Sequence, residues 1–275
     1  MLRTTLALMS LVFLASCATT PQISPAARAD LAPTGKLRAG INYGNRQFAT
    51  RDPKTGEGSG IAVDLAREFG RRLGIPVELV GYNSGGQLTA GLKAGGWDVA
   101  ILAFAEGRTN EIHFSAPFAE IDASYLVPAG SPLRSAADVD KKGVRIAVSA
   151  KGGNDLYLSR ALKNATLVRA PSPEATFKLF VADKLEAYAG LKPSLLAIAE
   201  KFPGSRVVEG RYTVIGYSAG VPKGRDAGAQ YLREFIEDAK ASGLVARSIE
   251  KSGVRGVNVA PPAQGGSRVE IGGSM

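Results

Sequence analysis

The chain has 275 residues, 34 Lys and Arg against 25 Asp and Glu, one His, one Cys and 45% apolar residues, which suits a folded protein of one large or two small domains rather than a disordered tail. The single cysteine excludes a disulfide framework and cysteine-built zinc or iron–sulfur sites, and the lone His113 excludes a multi-histidine metal centre, so no metal or other cofactor is expected. The formal charge of +9 is scattered in pairs such as Arg71-Arg72 and Lys141-Lys142, without the clustered patch that nucleic acid requires, and it fits better with attracting anionic solutes or anionic headgroups.

At the start of the chain, residues 1–17 join a short positive segment to an apolar stretch briefer than the ~20 residues that span a bilayer, the pattern of an export signal. Its end, Leu14-Ala15-Ser16-Cys17, resembles a bacterial lipobox, with Cys17 as the lipidated residue and residues 1–16 as the signal peptide. Ordinary cleavage after Ala18 is the alternative; both place the protein outside the cytoplasm. The expected location is the periplasm, at a membrane through the lipid anchor. Residues 17–34, with Pro21, Pro25 and Pro33, read as a flexible tether.

The body alternates strands and helices. Residues 37–41 form a strand, residues 51–56 a hairpin turn, and Ile61, Leu65, Phe69 and Leu73 recur every fourth residue as a helix stopped by Gly74 and Pro76. A strand at 76–80, a helix at 87–94 and a strand at 97–104 follow. A second series has strands at 144–148, 166–169 and 187–190, with helices at 155–163, 174–182 and 194–201. An apolar β-rich stretch at 212–221 precedes a closing helix at 227–241. Two α/β series predict two lobes: the first from 35–126 and 218–252, the second from 127–217, with strands near 121–127 and 213–221 crossing between them as a hinge. Residues 253–275, rich in Gly and Pro, are expected to form an irregular tail. Ligands of such open sheets bind at the carboxyl ends of strands, here in the crevice between the lobes.

Gly35-Lys36-Leu37-Arg38-Ala39-Gly40, Gly60-Ile61-Ala62-Val63-Asp64-Leu65-Ala66, Gly95-Gly96-Trp97-Asp98-Val99-Ala100, and Arg108 followed by Ile112, Phe114, Ser115 and Pro117 occur in that order. Together they resemble the family 3 extracellular solute-binding proteins, the polar-amino-acid receptors of ABC importers, over most of residues 34–250. The resemblance implies a two-lobed, hinged α/β clamshell and a monomer that delivers a small carboxylate-bearing solute, an amino acid or derivative, to an ABC permease. It also implies that Arg108 pairs with the ligand carboxylate, for which a planar guanidinium fork is suited. Backbone groups at Gly152, Gly153 and Asn154, ahead of a helix, are implied to meet the same carboxylate. Asn42, Tyr43 and Asn45, after the first strand, correspond to contacts with the rest of the ligand.

The ammonium half departs from the family pattern. Leu191 stands where relatives that bind α-amino acids place an aspartate, and Ala103 where they often place a small hydroxyl residue. A leucine cannot neutralise a buried ammonium. Either another acid reaches it, among Asp122, Glu120 and Glu186 with Asp122 preferred, or the ligand has no ammonium. The alternative function is a dehydratase of the cyclohexadienyl type on the same scaffold, with Glu186, Glu120 or His113 as the acid–base group. A degenerate cleft is the third reading.

Overall fold

The computed structural model describes residues 23–263. The export signal, Cys17 and the first part of the expected tether lie outside the described residues, as does the end of the expected tail. Among the described residues no helix is long and apolar enough to cross a membrane.

In chain order the elements are α1 (Pro25–Leu31), β1 (Leu37–Asn42), β2 (Thr50–Arg51), β3 (Gly58–Ser59), α2 (Ile61–Leu73), β4 (Val77–Tyr82), α3 (Gly85–Lys93), β5 (Val99–Ala103), β6 (Ile112–Phe114) and β7 (Ala119–Val127). Then come β8 (Arg145–Ser149), α4 (Gly153–Ala161), β9 (Thr166–Ala170), α5 (Pro173–Ala182), β10 (Ala187–Leu191), α6 (Lys192–Ala199), β11 (Arg206–Val207), β12 (Thr213–Pro222), α7 (Asp226–Ala241), α8 (Leu244–Ser252) and β13 (Val257–Val259).

Lobe 1 is built on the parallel strands β4, β1 and β5, extended by β12 running antiparallel to β5. The fourfold spacing in α2 buries Ile61, Leu65, Phe69 and Leu73, and Gly74 ends the helix in the left-handed conformation that glycine adopts without steric cost. Lobe 2 is built on the parallel strands β10, β8 and β9, flanked by α4, α5 and α6. Its apolar interior forms two clusters, one around Tyr125, Ile146, Val148 and Leu158 and the other around Leu126, Phe180, Tyr188 and Leu195.

Two strands join the lobes. β7 and β12 pair antiparallel from Ala119 opposite Tyr217 to Ala123 opposite Thr213. Beyond that shared segment, β12 continues along β5 in lobe 1, while β7 continues along β10 in lobe 2. A crossing of two extended strands is a hinge: each absorbs a small dihedral change while the lobes move as bodies.

Two expectations are corrected. Residues 25–31 of the expected tether form α1: the Ser24 hydroxyl accepts the Ala27 N–H at 3.1 Å, Pro25 opens the helix, and Ala27 and Leu31 are buried as the helix packs on α7. The expected irregular tail supplies β13, whose Val257 and Val259 sit opposite Ile121 and Ala119 of β7. An additional helix, α8, follows α7 after Gly243 and packs on α2 and α7.

Candidate ligand-binding cleft

A cavity of about 110 Å³ lies between the lobes. Lobe 1 contributes Asn42, Asn45, Phe48, Ala103, Arg108 and Tyr217, and lobe 2 contributes Ser149, Gly152, Gly153, Asn154, Leu191 and Ser194. The lobes touch around it. Arg108 Nη2 donates to the Lys151 carbonyl at 2.7 Å and Gln47 Nε2 to Ser194 Oγ at 3.1 Å, while Arg160 pairs with Glu106 at the rim. A Cβ on Gly86 would sit 2.7 Å from the Ala150 carbonyl, and one on Gly153 would sit 2.8 Å from the Ala103 methyl. Both glycines allow opposing backbones to approach as the lobes close.

Arg108 ends a single turn of 3-10 helix (Glu106–Arg108) after β5 and is only 3% exposed. Its Nη1 donates to the Ala103 carbonyl at 2.7 Å, and its Nε has no protein acceptor. No carboxylate lies within 4 Å among the described residues. Burial pulls its pKa down to about 10, with the nearby Tyr217 opposing the shift, so the guanidinium remains charged at neutral pH. A buried cation satisfied only by carbonyls is costly unless a negative charge completes it.

Facing Arg108 from lobe 2 is the start of α4. Gly152 caps it in extended backbone, no side chain occupies the cap, and the amides of Gly153, Asn154 and Asp155 have no intrahelical acceptor. Such a terminus carries a partial positive charge, and the two glycines leave it open. Asp155, in the first turn, does not line the cavity: it accepts from the Lys151 N–H at 2.7 Å and from Arg169 Nε at 2.9 Å.

The apolar wall is a stacked pair, Phe48 on Tyr217, with centroids 3.9 Å apart. Asn45 Nδ2 donates to the Tyr217 hydroxyl at 2.7 Å, and burial pushes that phenol well above its ordinary pKa, so it stays protonated. Neither ring was anticipated from the sequence: they lie far apart in the chain and no local pattern links them.

Of the sequence-predicted positions, Arg108, Gly152, Gly153, Asn154, Asn42, Asn45 and Leu191 line one cavity. Tyr43 and Asp122 do not. The Tyr43 ring turns away beneath Arg51, whose guanidinium lies 4.7 Å from its centroid, against Gly81 and Gly58. On β7, Ile121 and Ala123 point inward, so the alternation turns Asp122 to the other face, where it pairs with Arg211 at 2.8 Å beside a separate surface pocket. Glu186 is held by Arg145 outside the cavity, its pKa lowered by that hydrogen bond, and Glu120 is likewise not in the lining. His113 pairs with Asp226 at 2.9 Å away from the cavity. Among the described residues, then, no acid lines the cleft. Leu191 fills its expected place with an apolar side chain that also packs into the lobe 1 core.

Residues 37–253 match the family described as bacterial extracellular solute-binding proteins, family 3. A glutamine-binding protein of Geobacillus stearothermophilus is 26% identical over 205 residues, covering 69% of this chain and 73% of the relative. The ABC transporter glutamine-binding protein GlnH of Bacillus subtilis is 23% identical over 229 residues, covering 76% of this chain and 77% of the relative. Among solved structures, a crystal structure of ArgBP from T. maritima superposes with a TM-score of 0.69 at 23% identity, covering 82% of this chain and 98% of that one.

Proposed function

The chain belongs to the bacterial extracellular solute-binding proteins of family 3, and from that membership we propose that it is the receptor of an ABC importer, capturing a small carboxylate-bearing solute between its lobes. The observation that carries this reading is Arg108: a buried guanidinium with no acid partner among the described residues, aimed at the uncapped start of α4 across a hinged cleft. A carboxylate supplies the missing negative charge and bridges the two lobes. Binding therefore favours the closed form in proportion to the contacts made only there. The glutamine-binding relatives support a solute of amino-acid size.

In this reading the protein is exported, anchored through Cys17 and works as a monomer in the periplasm with a membrane permease. Replacing Cys17 with Ser should release it from membranes, and loss of radiolabelled palmitate from the chain would be the direct readout. A dehydratase working through a carboxyl general acid would need one at the bound substrate, and among the described residues no Asp or Glu lines the cavity.

The test is thermal unfolding of wild type and Arg108→Ala against a broad panel of carboxylates. Ligand at a hundred times its Kd adds about 2.7 kcal/mol, a shift of roughly 5–10 °C for a chain of this size. The mutant should show none of it. A folded wild type that responds to no carboxylate, or equal shifts in both proteins, overturns the reading.

A further inference from the structure

The polar groups lining the cleft are unequally matched. Apart from the Ser149 hydroxyl, which can donate or accept, the side-chain hydrogen-bond acceptors of the lining and the carbonyls beside Arg108 are occupied within the protein: the carbonyls of Ala103 and Lys151 by Arg108, Asn42 Oδ1 by the Gly44 N–H, Asn45 Oδ1 by the Gln47 N–H, and Asn154 Oδ1 by the Tyr212 hydroxyl at 2.8 Å. The donors remain open. Among the described residues, Arg108 Nε, Asn42 Nδ2, Asn154 Nδ2 and the first amides of α4 have no protein acceptor. Among the described residues the only charged side chain in the lining is cationic, and none of the lining residues is acidic.

An α-amino acid brings one anionic and one cationic group into such a site. Its ammonium would enter beside Arg108 and a positive helix end with no acid to pair with, and a buried charge without a partner is strongly disfavoured. A carboxylate alone engages Arg108 and α4 but leaves the two asparagine amides of the lining without an acceptor in the protein. A second acceptor oxygen on the ligand uses them. The cavity volume of about 110 Å³ limits the rest; a protein cavity of about 150 Å³ takes up benzene.

Resting on the receptor reading above, we propose that the ligand is a short carboxylate carrying an adjacent oxygen and no cationic nitrogen, that is, a 2-oxo or 2-hydroxy acid. In this assignment Asn42 and Asn154 set specificity by donating to the second oxygen, and Leu191 supplies an apolar wall where a charged nitrogen would need an acid.

Matched series test it: pyruvate, lactate and alanine, then glycerate and serine, then 2-oxobutyrate, 2-hydroxybutyrate and 2-aminobutyrate, each titrated calorimetrically into the wild-type protein. The oxygen acid of at least one series should bind at least about tenfold more tightly than its amino acid. An amino acid that binds equally well or better in every series that binds overturns the proposal and leaves the receptor standing. If no member of any series binds while another carboxylate does so through Arg108, the ligand class is wrong and the receptor again stands. If no carboxylate binds at all, the receptor reading itself fails. Leu191→Asp supplies a second arm: the new acid should weaken the oxygen acid at least about tenfold and improve the amino acid, whereas Leu191→Asn, neutral and of similar size, should keep the wild-type order. An unchanged order in a folded Leu191→Asp protein also counts against the proposal. The wild-type titrations decide the matter if that variant does not fold.

Discussion

Lobe 1 holds two buried charge sites that are built in opposite ways. Asp98, fully buried just before β5, is closed by the chain itself: Arg38 donates to it through Nε and Nη2 at 2.9 and 2.8 Å and Arg225 through Nη1 at 2.8 Å. Burial alone would raise its pKa, but the hydrogen bonds from the two arginines outweigh that and hold it below the usual aspartate value. Arg108, at the other end of the same strand, is almost as deeply buried and is given only carbonyls. Lobe 1 thus supplies two arginines to neutralise a buried acid, whereas none of the acids among the described residues pairs with the buried arginine. A charge completed from within serves the fold; one left open marks where something from outside completes it.

This contrast can be broken most severely at Asp98. Asp98→Asn removes the common partner of two arginines and should cost about 3 kcal/mol or more, read by denaturant unfolding, with ligand preference unchanged. The pH dependence follows from the lowered pKa. A carboxyl group with a folded pKa below its unfolded value contributes fully above the unfolded value, about 3.9, and loses that contribution as pH falls through the folded one. Wild type should therefore lose stability below about pH 4, and Asp98→Asn should flatten that limb. If the mutant keeps the full acid sensitivity, Asp98 is not the group responsible.

Arg108→Ala should have the opposite profile. Its ligand-free stability should move by only about 1 kcal/mol, because the lost carbonyl bonds are offset by no longer burying a cation, while ligand affinity should fall about a hundredfold or more. Were both mutations to act equally on stability and neither on binding, the two sites would be the same kind of structure and the contrast would disappear.

The periodic parts of this architecture were legible in the chain. Ile61, Leu65, Phe69 and Leu73 announce α2 because their spacing is that of one helical face, and Gly74 announces its end. Gly152-Gly153 before Asn154 is legible as the start of a helix, and α4 begins there with Gly152 as its cap. What escaped depends on non-local packing: Phe48 meets Tyr217 only because β12 returns beside β5. The position of Asp122 follows from the sequence itself: Ala119, Ile121 and Ala123 alternate with Glu120 and Asp122, which puts both acids on the face away from the buried one. The helix α1 was masked by prolines read as tether residues, although Ser24 followed by Pro25 is a helix-start signal.

Closure gives the next sharper test. Gly153 must stay small because Ala103 of the opposing lobe lies in the space a Cβ would take. Gly153→Ala adds one methyl group where the lobes meet, and overpacking of that kind costs about 1–3 kcal/mol. An open form does not feel it, so the effect should appear as an affinity loss of about tenfold with little change in ligand-free unfolding. Titration beside small-angle scattering checks both halves: the ligand-bound mutant should be more extended than bound wild type. Unchanged affinity would mean that binding does not require the approach of α4 to β5.

The smallest effect belongs to the rim. Glu106 and Arg160 pair across the cleft with both side chains largely exposed. Exposed pairs gain little because water screens the attraction and two long side chains must be held in place. Glu106→Gln should weaken binding by no more than about threefold at low salt, and the difference should shrink further by about 0.5 M salt, where the Debye length has fallen to about 4 Å and water and ions screen most of an exposed pair's attraction. Arg108 lies inside the closed cleft, so its contribution should persist at the same ionic strength. Titrations of the two variants across one salt series separate a charge that trims closure from a charge that holds the ligand, and a large, salt-resistant loss in Glu106→Gln would move the rim pair into the second group.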